Sequence, residues 1–238
     1  MESVQPTKPK WEIGDVALIL LALAGFTLLN SLWSDSLQKI LKSGFGPVTG
    51  QLAYFAMTTS LQGIMIAGLV IYIVRRNGQS FRELGLVIPS LGKVLVYGLV
   101  GGLLLLGLGL VSSSLIEFLT PRPPEPQPIA KAIAQAGTWS QLLLPLFVAA
   151  AIAPISEELF LRGFTYPVLR EHFGLRVGML FSAVFFAALH FDLLRFIPLA
   201  MAGWGLTWLY QKTGSLITPM LAHGVWNTLM TLVVFKGS

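Results

Sequence analysis

Residues 140–168 read SQLLLPLFVAAAIAPISEELFLRGFTYPV, a long apolar run with a short charged centre. A helix needs about 20 predominantly apolar residues to cross roughly 30 Å of hydrocarbon, so this run predicts a membrane span. Further apolar runs lie on both sides of it, near residues 13–33, 51–74, 91–116, 176–191, 194–211 and 214–235. Together the runs predict an all-α fold, a polytopic transmembrane helix bundle of about seven spans, with six to eight as the range.

The composition agrees with a membrane bundle. Hydrophobic residues make up 54% of the 238 residues, charged residues make up 11%, and the mean hydropathy is +0.73. An ordinary soluble domain carries about 25% charged residues, so a soluble core could not absorb this apolar surplus. The chain has no cysteine, which excludes disulfides, thiolate metal sites and cysteine nucleophiles. Chemistry is therefore left to His, Asp, Glu, Ser and Asn.

The net charge of +5 comes from basic residues scattered among the segments between the spans. Scattered charge indicates membrane topology, whereas a nucleic-acid site would gather it in one block, so we expect no nucleic-acid partner. With a cytoplasmic N-terminus, nine Lys and Arg residues lie inside and six lie outside, which is the direction of the positive-inside rule. The first run is long and lacks a convincing small-residue cleavage site after it, so we expect it to remain as an anchor. These features predict an integral protein of a bacterial plasma membrane with its N-terminus in the cytoplasm.

A proline-rich segment divides the chain. Residues 121–128 read PRPPEPQP, and proline lacks the amide hydrogen of a helical residue and fixes its own backbone angle. We interpret this segment as a stiff, non-helical connection between two bundles rather than as a ligand for a proline-recognition domain. The predicted domains are N-terminal membrane helices at residues 1–120, a Pro-rich linker at 121–138 and a C-terminal core at 139–238.

Two pairs of glycines have the small-xxx-small spacing of close helix packing. Gly98 and Gly102 lie in the third apolar run, and Gly174 and Gly178 lie before and at the start of the fifth. Close packing explains both pairs without a functional role. No internal repeat of the kind that marks many transporters is evident in the sequence.

Three charged residues lie inside the fourth apolar run, namely Glu157, Glu158 and Arg162. A charge at the centre of a membrane helix costs about 2.5 to 3.5 kcal/mol on insertion scales, so such residues normally face a partner or a cavity. Glu158 and Arg162 are four residues apart on one helix face, and we expect them to pair. Glu157 lies about 100° around the helix and has no such local partner. It is therefore the candidate for chemistry.

Two further pairs of residues follow at helical spacing. Phe186 and His190 are four residues apart, so they share one face of a helix. His223 and Asn227 repeat this spacing on another helix. A single histidine in a membrane more often makes a helix-to-helix hydrogen bond than it binds a ligand. Helix rise, however, places Glu157 and both histidines at roughly comparable depth, so the prediction of a site rests on the combination.

In chain order the three patterns are EExxxR, FxxxH and HxxxN, and together they resemble the CPBP family of intramembrane proteases. That family includes the type II CAAX prenyl endopeptidases and the bacterial Abi proteins linked to bacteriocin processing and self-immunity. The matching positions are Glu157, Glu158 and Arg162, then Phe186 and His190, then His223 and Asn227. The resemblance extends from about residue 139 to the end, whereas the first three spans are identified only as membrane helices.

The resemblance implies an endopeptidase that hydrolyses a peptide bond of a membrane-associated substrate with an activated water. The implied catalytic residues are Glu157, which polarises the water, and His190, His223 and Asn227, which line the same cavity. The implied supporting residues are Glu158, Arg162 and Phe186. A carboxylate in an apolar site can act as a general base, and an imidazole and a carboxamide can stabilise an oxyanion, so the implied chemistry is sensible.

The residues leave two routes open for activating the water. His190, His223 and Glu157 would serve as zinc ligands and keep one position for water, and the family is commonly described as metalloproteases. Asparagine, however, is a poor zinc ligand, and the sequence has no HExxH helix. A metal-free mechanism of Glu and His is the alternative.

Two other classes of protein would keep similar residues. A non-catalytic bacteriocin immunity or membrane scaffolding protein could use them to bind a membrane partner, and a proton-coupled transporter also buries Glu, Arg and His. The intact motifs favour the protease over the scaffold, and the missing repeats count against transport. The expected partners are membrane lipid and a peptide or protein substrate, with prenylated substrates included.

Overall fold

The computed structural model describes residues 8–120 and 128–237. Within these ranges the chain forms nine α-helices joined by short segments. They are α1 (Ile13–Phe45), α2 (Pro47–Arg76), α3 (Leu91–Leu119), α4 (Pro128–Ala134), α5 (Trp139–Phe147), α6 (Ala153–Glu158), α7 (Tyr166–Ala188), α8 (Phe196–Thr213) and α9 (Ile217–Lys236). Two π-helical segments flank α6: the first π segment is Val148–Ile152, and the second π segment is Leu159–Thr165.

Five helical stretches are long and apolar enough to cross a membrane, which confirms the predicted helical membrane bundle. They are α1, α2, α3, the stretch Trp139–Ala188 and α9. The predicted fourth span and most of the predicted fifth span lie in Trp139–Ala188. In this stretch the helical segments follow one another without an intervening loop. The predicted sixth span corresponds to α8, an 18-residue helix that is not among the five. The number of crossings is therefore decided at two places: in Trp139–Ala188, which is one span or two, and at α8.

A sharp break at Gly174 divides the long stretch. Gly174 has a φ of 76° and a ψ of 175°, a conformation that a residue with a Cβ adopts only at a cost. A Cβ on Gly178 would lie 2.8 Å from the Cα of Arg170. Two residues eight positions apart are separated by about 12 Å along a straight helix, so the chain folds back at Gly174. The stretch Trp139–Ala188 is thus two helices, in agreement with two of the predicted spans.

The turn between α1 and α2 has the same construction. Gly46 has a φ of 83° and a ψ of 165°, and a Cβ on Gly50 would lie 2.6 Å from the Cα of Lys42. Residues 45–50 and 173–178 read FGPVTG and FGLRVG, so they share the pattern FGxxxG. One local device therefore reverses the chain in both halves of the molecule.

Close packing of α3 on α9 confirms the interpretation of the other glycine pair. A Cβ on Gly98 would lie 2.6 Å from Leu221 Cδ2, and a Cβ on Gly102 would lie 2.6 Å from Val225 Cβ. Only glycine leaves enough room for these side chains. The contact supports α9, which carries the HxxxN motif.

The predicted linker requires one correction. Pro128 was expected in a non-helical segment, but it is the first residue of α4. Proline is tolerated there because the amides of the first helical turn have no partner within the helix. Ala132 and Ile133 of α4 are buried against Leu52 of α2, so this part of the linker is a packed helix. The remaining prolines of the segment, within residues 121–127, lie outside the described residues.

Candidate active site

Two irregular turns surround the EExxxR motif. The first π segment ends where the amide of Ala153 donates to Val148 O, and the next residue, Pro154, has no amide hydrogen. The carbonyl of Ala149 is therefore left without the helical amide that would normally bind it. π-Helical turns are rare and occur frequently at functional sites. Here they expose backbone carbonyls to side chains of neighbouring helices.

Glu158 and Arg162 form a fully buried ion pair, as the spacing predicts. Arg162 Nη1 donates to Glu158 Oε1 at 2.8 Å, and both side chains are 0% exposed. Arg162 Nη2 donates to Gly203 O at 3.0 Å, and Nε donates to Thr207 Oγ1 at 3.4 Å. A buried charge is tolerated when a partner and further hydrogen bonds compensate its loss of water. The ion pair with its α8 partners meets both conditions.

Phe186 packs against three members of the motifs. Its ring lies 4.7 Å from Arg162 Cζ, and its ring centroid lies 4.6 Å from that of His190 and 5.9 Å from that of His223. The Arg162 guanidinium over the ring face is a cation–π contact. The aromatic ring of the FxxxH motif thus joins the ion pair to both histidines.

His223 contacts both glutamates. Its Nδ1 lies 2.9 Å from Glu158 Oε1, and its Nε2 lies 4.0 Å from Glu157 Oε2. A carboxylate bonded to Arg162 is an acceptor, so Nδ1 carries a proton and donates to Glu158. The distance from Nε2 to Glu157 is too long for a direct hydrogen bond but suits one bridging water. We call Glu158, Arg162, Thr207 and His223 the buried network.

The two adjacent carboxylates differ in their surroundings. Glu157 is 35% exposed, whereas Glu158 is 0% exposed. Glu158 Oε1 accepts from two side chains, and Glu158 Oε2 has no hydrogen-bond partner among the described residues. Glu157 is thus the accessible acid, as its position on the helix predicts.

His190 lies at the edge of a cavity, two residues beyond the end of α7 and not within the helix. Its Nδ1 is 2.8 Å from Phe186 O, which leaves Nε2 as the nitrogen available for chemistry. A cavity of about 680 Å³ adjoins it, lined by Phe55, Ile129, His190, Phe191, Asp192, Leu193 and Leu194. Arg195 donates to Asp192 at 2.6 Å and holds this loop together. Phe55 and Ile129 lie on α2 and α4, so both halves of the chain form the cavity.

Asn227 makes a contact that its motif does not reveal. Its Nδ2 donates at 3.0 Å to Ala149 O, the carbonyl that Pro154 leaves without a helical amide. The amide group therefore fastens α9 to the first π segment. Gly224, on the same side of α9, allows a close approach to Ala150 O, which a Cβ at this position would block. These two contacts set the position of the HxxxN motif against α6.

The described residues do not supply the predicted zinc ligands as a group. No cluster of three or more His, Cys, Asp or Glu side chains within residues 8–120 and 128–237 has a geometry that could hold a metal ion. Glu157 and His223 lie near each other, but Nδ1 of His223 is bound to Glu158, and His190 does not join them in such a cluster. The predicted set of His190, His223 and Glu157 therefore does not fit a three-ligand zinc site in this arrangement.

Sequence reasoning missed several contacts of this site. It did not pair Glu158 with His223, nor did it include Thr207 and Gly203, because these residues lie on other helices and belong to no motif. The position of Pro154 was the available signal for Asn227, since a proline inside a longer helix lacks the amide that would bind a carbonyl of the preceding turn.

Comparisons with known proteins identify the region that contains the site. Residues 139–229 match the family model described as Type II CAAX prenyl endopeptidase Rce1-like. A protein of Bacillus subtilis (strain 168), named "Putative membrane peptidase YdiL", is 28% identical over 90 residues. This alignment covers 38% of the present chain and 37% of the relative, so the chain spans little more than a third of that protein. No solved structure matches the chain.

The matched region contains all three motifs and every member of the buried network. It ends just after Asn227 and leaves α1, α2, α3 and α4 outside. The match confirms the resemblance that the motifs indicate. Residues 139–229 of this integral membrane protein are therefore similar to the family described as Type II CAAX prenyl endopeptidase Rce1-like.

Proposed function

We propose that the protein is an intramembrane endopeptidase that hydrolyses a peptide bond with a water activated by Glu157. The observation that carries the proposal is the placement of Glu157 Oε2 4.0 Å from His223 Nε2, while Glu158 holds the opposite nitrogen of the same ring. A partly exposed base beside an oriented imidazole is an arrangement suited to general-base catalysis.

The hydrolysis begins with a water between Glu157 and His223. Its hydrogens point to Glu157 Oε2 and His223 Nε2, so an oxygen lone pair is left to attack the substrate carbonyl carbon. Glu157 takes the proton as the carbon–oxygen bond forms. His190, in its doubly protonated form, keeps its Nδ1 bond to Phe186 O and donates from Nε2 to the developing oxyanion. The intermediate then collapses, the carbon–nitrogen bond breaks, and Glu157 returns the proton to the leaving amine. A carboxylic acid and an amine result.

The buried network acts as a support for this step. Arg162 and His223 both donate to Glu158 Oε1, so the imidazole cannot rotate without breaking a charge-assisted hydrogen bond. Asn227 holds α9 against the first π segment, which keeps His223 at its distance from Glu157. We therefore assign Asn227 a positioning role as well as the place in the cavity that the family resemblance implies.

The proposed route uses no metal. The described residues lack a three-ligand group, so each step is assigned to Glu157, His223 and His190. Metal analysis of purified protein, beside a chelator titration of its activity, tests this choice. Full activity in metal-free protein is the expected result, whereas activity that disappears with the chelator and returns only with added zinc would overturn it.

The cavity beside His190 supports a substrate held in or at the membrane. Five of its lining side chains are apolar, namely Phe55, Ile129, Phe191, Leu193 and Leu194. An apolar peptide, or a protein whose end carries a prenyl group, could place its cleavable bond beside His190 from this side. We further propose that the protein lies in a bacterial plasma membrane with a cytoplasmic N-terminus, following the distribution of its basic residues.

A substrate trap tests the proposed activity. Glu157→Gln keeps the size of the side chain but removes the base, so the variant should hold uncleaved substrate for cross-linking and identification by mass spectrometry. Glu117→Gln, an exposed position at the end of α3, is the matched control. We expect the trapped proteins to be cleaved by the wild type and by Glu117→Gln, but not by Glu157→Gln.

Two results would contradict the proposal. Cleavage that survives Glu157→Gln would remove Glu157 as the base. Trapped partners that the wild type binds but never cleaves would favour a non-catalytic immunity or scaffolding protein.

A further inference from the structure

We propose that Trp11, which lies outside the family-matched region, is a positioning residue that holds the second π segment and, through it, the buried network. The inference deepens the proposed function, since it identifies what keeps Arg162, Glu158 and His223 in register. It concerns a contact between the N-terminal segment before α1 and the turn that carries Arg162.

Trp11 makes two contacts with Phe164 in the second π segment. The indole Nε1 donates to Phe164 O at 2.8 Å across 153 positions of sequence. The two rings are stacked, with centroids 5.1 Å apart and planes 5° apart. Trp11 is only 2% exposed, so its hydrogen bond forms away from water. A tryptophan at the start of a membrane helix is usually an interfacial anchor, but this burial and this partner give Trp11 another role.

The second π segment, like the first, is incompletely hydrogen-bonded within its own backbone. The amide of Tyr166 donates to Leu161 O, and the next residue, Pro167, has no amide hydrogen. The carbonyl of Arg162 therefore has neither of the two amides that an α or π pattern would offer. The backbone therefore lacks one hydrogen bond at Arg162, the residue that pairs with Glu158. Trp11 binds the same turn two residues further on, at Phe164 O.

The first π segment has a parallel arrangement. There Pro154 also follows the π turn, and Asn227 of α9 donates to the orphaned Ala149 O. Each irregular turn that flanks α6 is thus held by one side-chain donor from a distant element. Asn227 belongs to a family motif, whereas Trp11 comes from the part of the chain that the family model does not match.

The segment that carries Trp11 is held by other contacts. Lys10 N donates to Gln79 Oε1 at 2.7 Å, and Lys8 pairs with Glu171 at 2.6 Å. Replacement of the indole should therefore leave the segment in place while it releases the turn. A released turn can relax toward regular α geometry, which rotates Arg162 by part of the roughly 100° between successive helical residues. The Arg162 bond to Glu158, and with it the Glu158 bond to His223, would then be disturbed.

The test compares Trp11→Phe with Trp33→Phe. The first change keeps an aromatic ring for stacking and removes only the N–H donor, whereas the second alters a tryptophan of α1 that is 68% exposed. Both variants carry histidine labelled with nitrogen-15 in full-length protein in detergent. The signals of the three histidines are assigned by single His→Gln changes.

We expect Trp11→Phe to move the Nδ1 signal of His223 and to leave that of His190 in place. Trp33→Phe should move neither signal. Once a substrate is in hand, Trp11→Phe should lower kcat by about 10- to 100-fold at nearly unchanged KM, because misplacement of a catalytic group by about 1 Å has this effect. A loss of bulk stability alone would reduce the amount of folded protein without this split between kcat and KM.

An unchanged His223 signal in folded Trp11→Phe protein would overturn the inference. If this variant does not accumulate, benzothienylalanine at position 11 keeps the shape of tryptophan and replaces N–H with sulfur, and the same criterion applies. The spectroscopic result does not depend on activity. A moved His223 signal together with cleavage that survives Glu157→Gln would therefore contradict the proposed function but support the role of Trp11.

Discussion

The neighbouring residues Glu157 and Glu158 lie at the border of two regions with opposite character. On one side is the buried network, in which each charged group has a partner on another turn or another helix. On the other side is the open region of Glu157, His190 and the cavity, where the acid is 35% exposed. A group whose bonds are satisfied by the protein can hold its neighbours, whereas a group that acts on a substrate must keep bonding capacity unused. The following predictions test this division.

The largest effect is expected for Arg162→Leu. The change removes one partner of a fully buried pair and leaves the Glu158 carboxylate without its counter-charge. Loss of one member of such a pair costs about 3 to 5 kcal/mol, and activity should be lost with it. Denaturation of the purified protein in detergent measures the change in the free energy of unfolding. A stable, active Arg162→Leu variant would show that the network is not a support.

The open region should respond in the opposite manner. Glu157→Gln should lower kcat by about 100- to 10,000-fold, the usual contribution of a general base. The free energy of unfolding should change by less than about 0.5 kcal/mol, because a partly exposed side chain without a direct hydrogen bond adds little to stability. Activity and unfolding are measured on the same preparation. A variant that loses stability and activity together would place Glu157 within the buried network.

Asn227→Ala should have an intermediate effect. It removes the donor for Ala149 O, and leaving a partly buried backbone carbonyl unsatisfied costs up to about 3 kcal/mol, the upper value for a buried group. Asn77→Ala is the matched control, since Asn77 Nδ2 donates to Ile73 O at the end of α2, and that carbonyl keeps the backbone amide of residue 77 as a second donor. The difference between the two unfolding free energies measures the contribution of the π turn. Equal losses would mean that Ala149 O finds another donor.

The smallest effect is expected for Arg195→Leu. Arg195 forms an ion pair of 2.6 Å with Asp192, but the side chain of Arg195 is 30% exposed. Ion pairs that water can reach contribute less than about 1 kcal/mol. The same unfolding assay compares this variant with Arg162→Leu, which removes the same charge from the interior. A cost similar to that of Arg162→Leu would contradict the distinction between the two regions.

Much of the membrane architecture follows from local pattern. The apolar runs predict the helices that the structure contains, and the spacing of Glu158 and Arg162 predicts their pair. Both predictions depend on distances of a few residues along one helix, which backbone geometry determines. The helix at Pro128 was missed for the opposite reason. Its burial against Leu52 is a tertiary contact that outweighs the local preference of a proline-rich sequence.

The internal FGxxxG similarity was also not predicted from the sequence. The pattern covers only the turns at Gly46 and Gly174. A match of three positions is too short to indicate a repeat, and its significance comes from the positive φ that both glycines share in the structure. Close packing at Gly98, Gly102 and Gly178 was predicted correctly, since small residues at this spacing commonly mark helix contacts. At Gly174 the prediction was wrong, because a Cβ there would have nothing within 4 Å and it is the positive φ that requires glycine.

The sequence by itself determined that the chain forms membrane helices, that Glu158 pairs with Arg162, and that Glu157 points elsewhere, because helical periodicity and the cost of charge in hydrocarbon act locally. Only the tertiary structure decided that Glu158 also binds His223, that Asn227 and Trp11 fasten the two π turns, and that Phe55 and Ile129 complete the cavity. These contacts join residues that lie far apart along the chain: His223 and Glu158 are 65 positions apart, Asn227 and Ala149 are 78 apart, and Trp11 and Phe164 are 153 apart. Their formation depends on how separate helices pack, and no spacing within one helix specifies it.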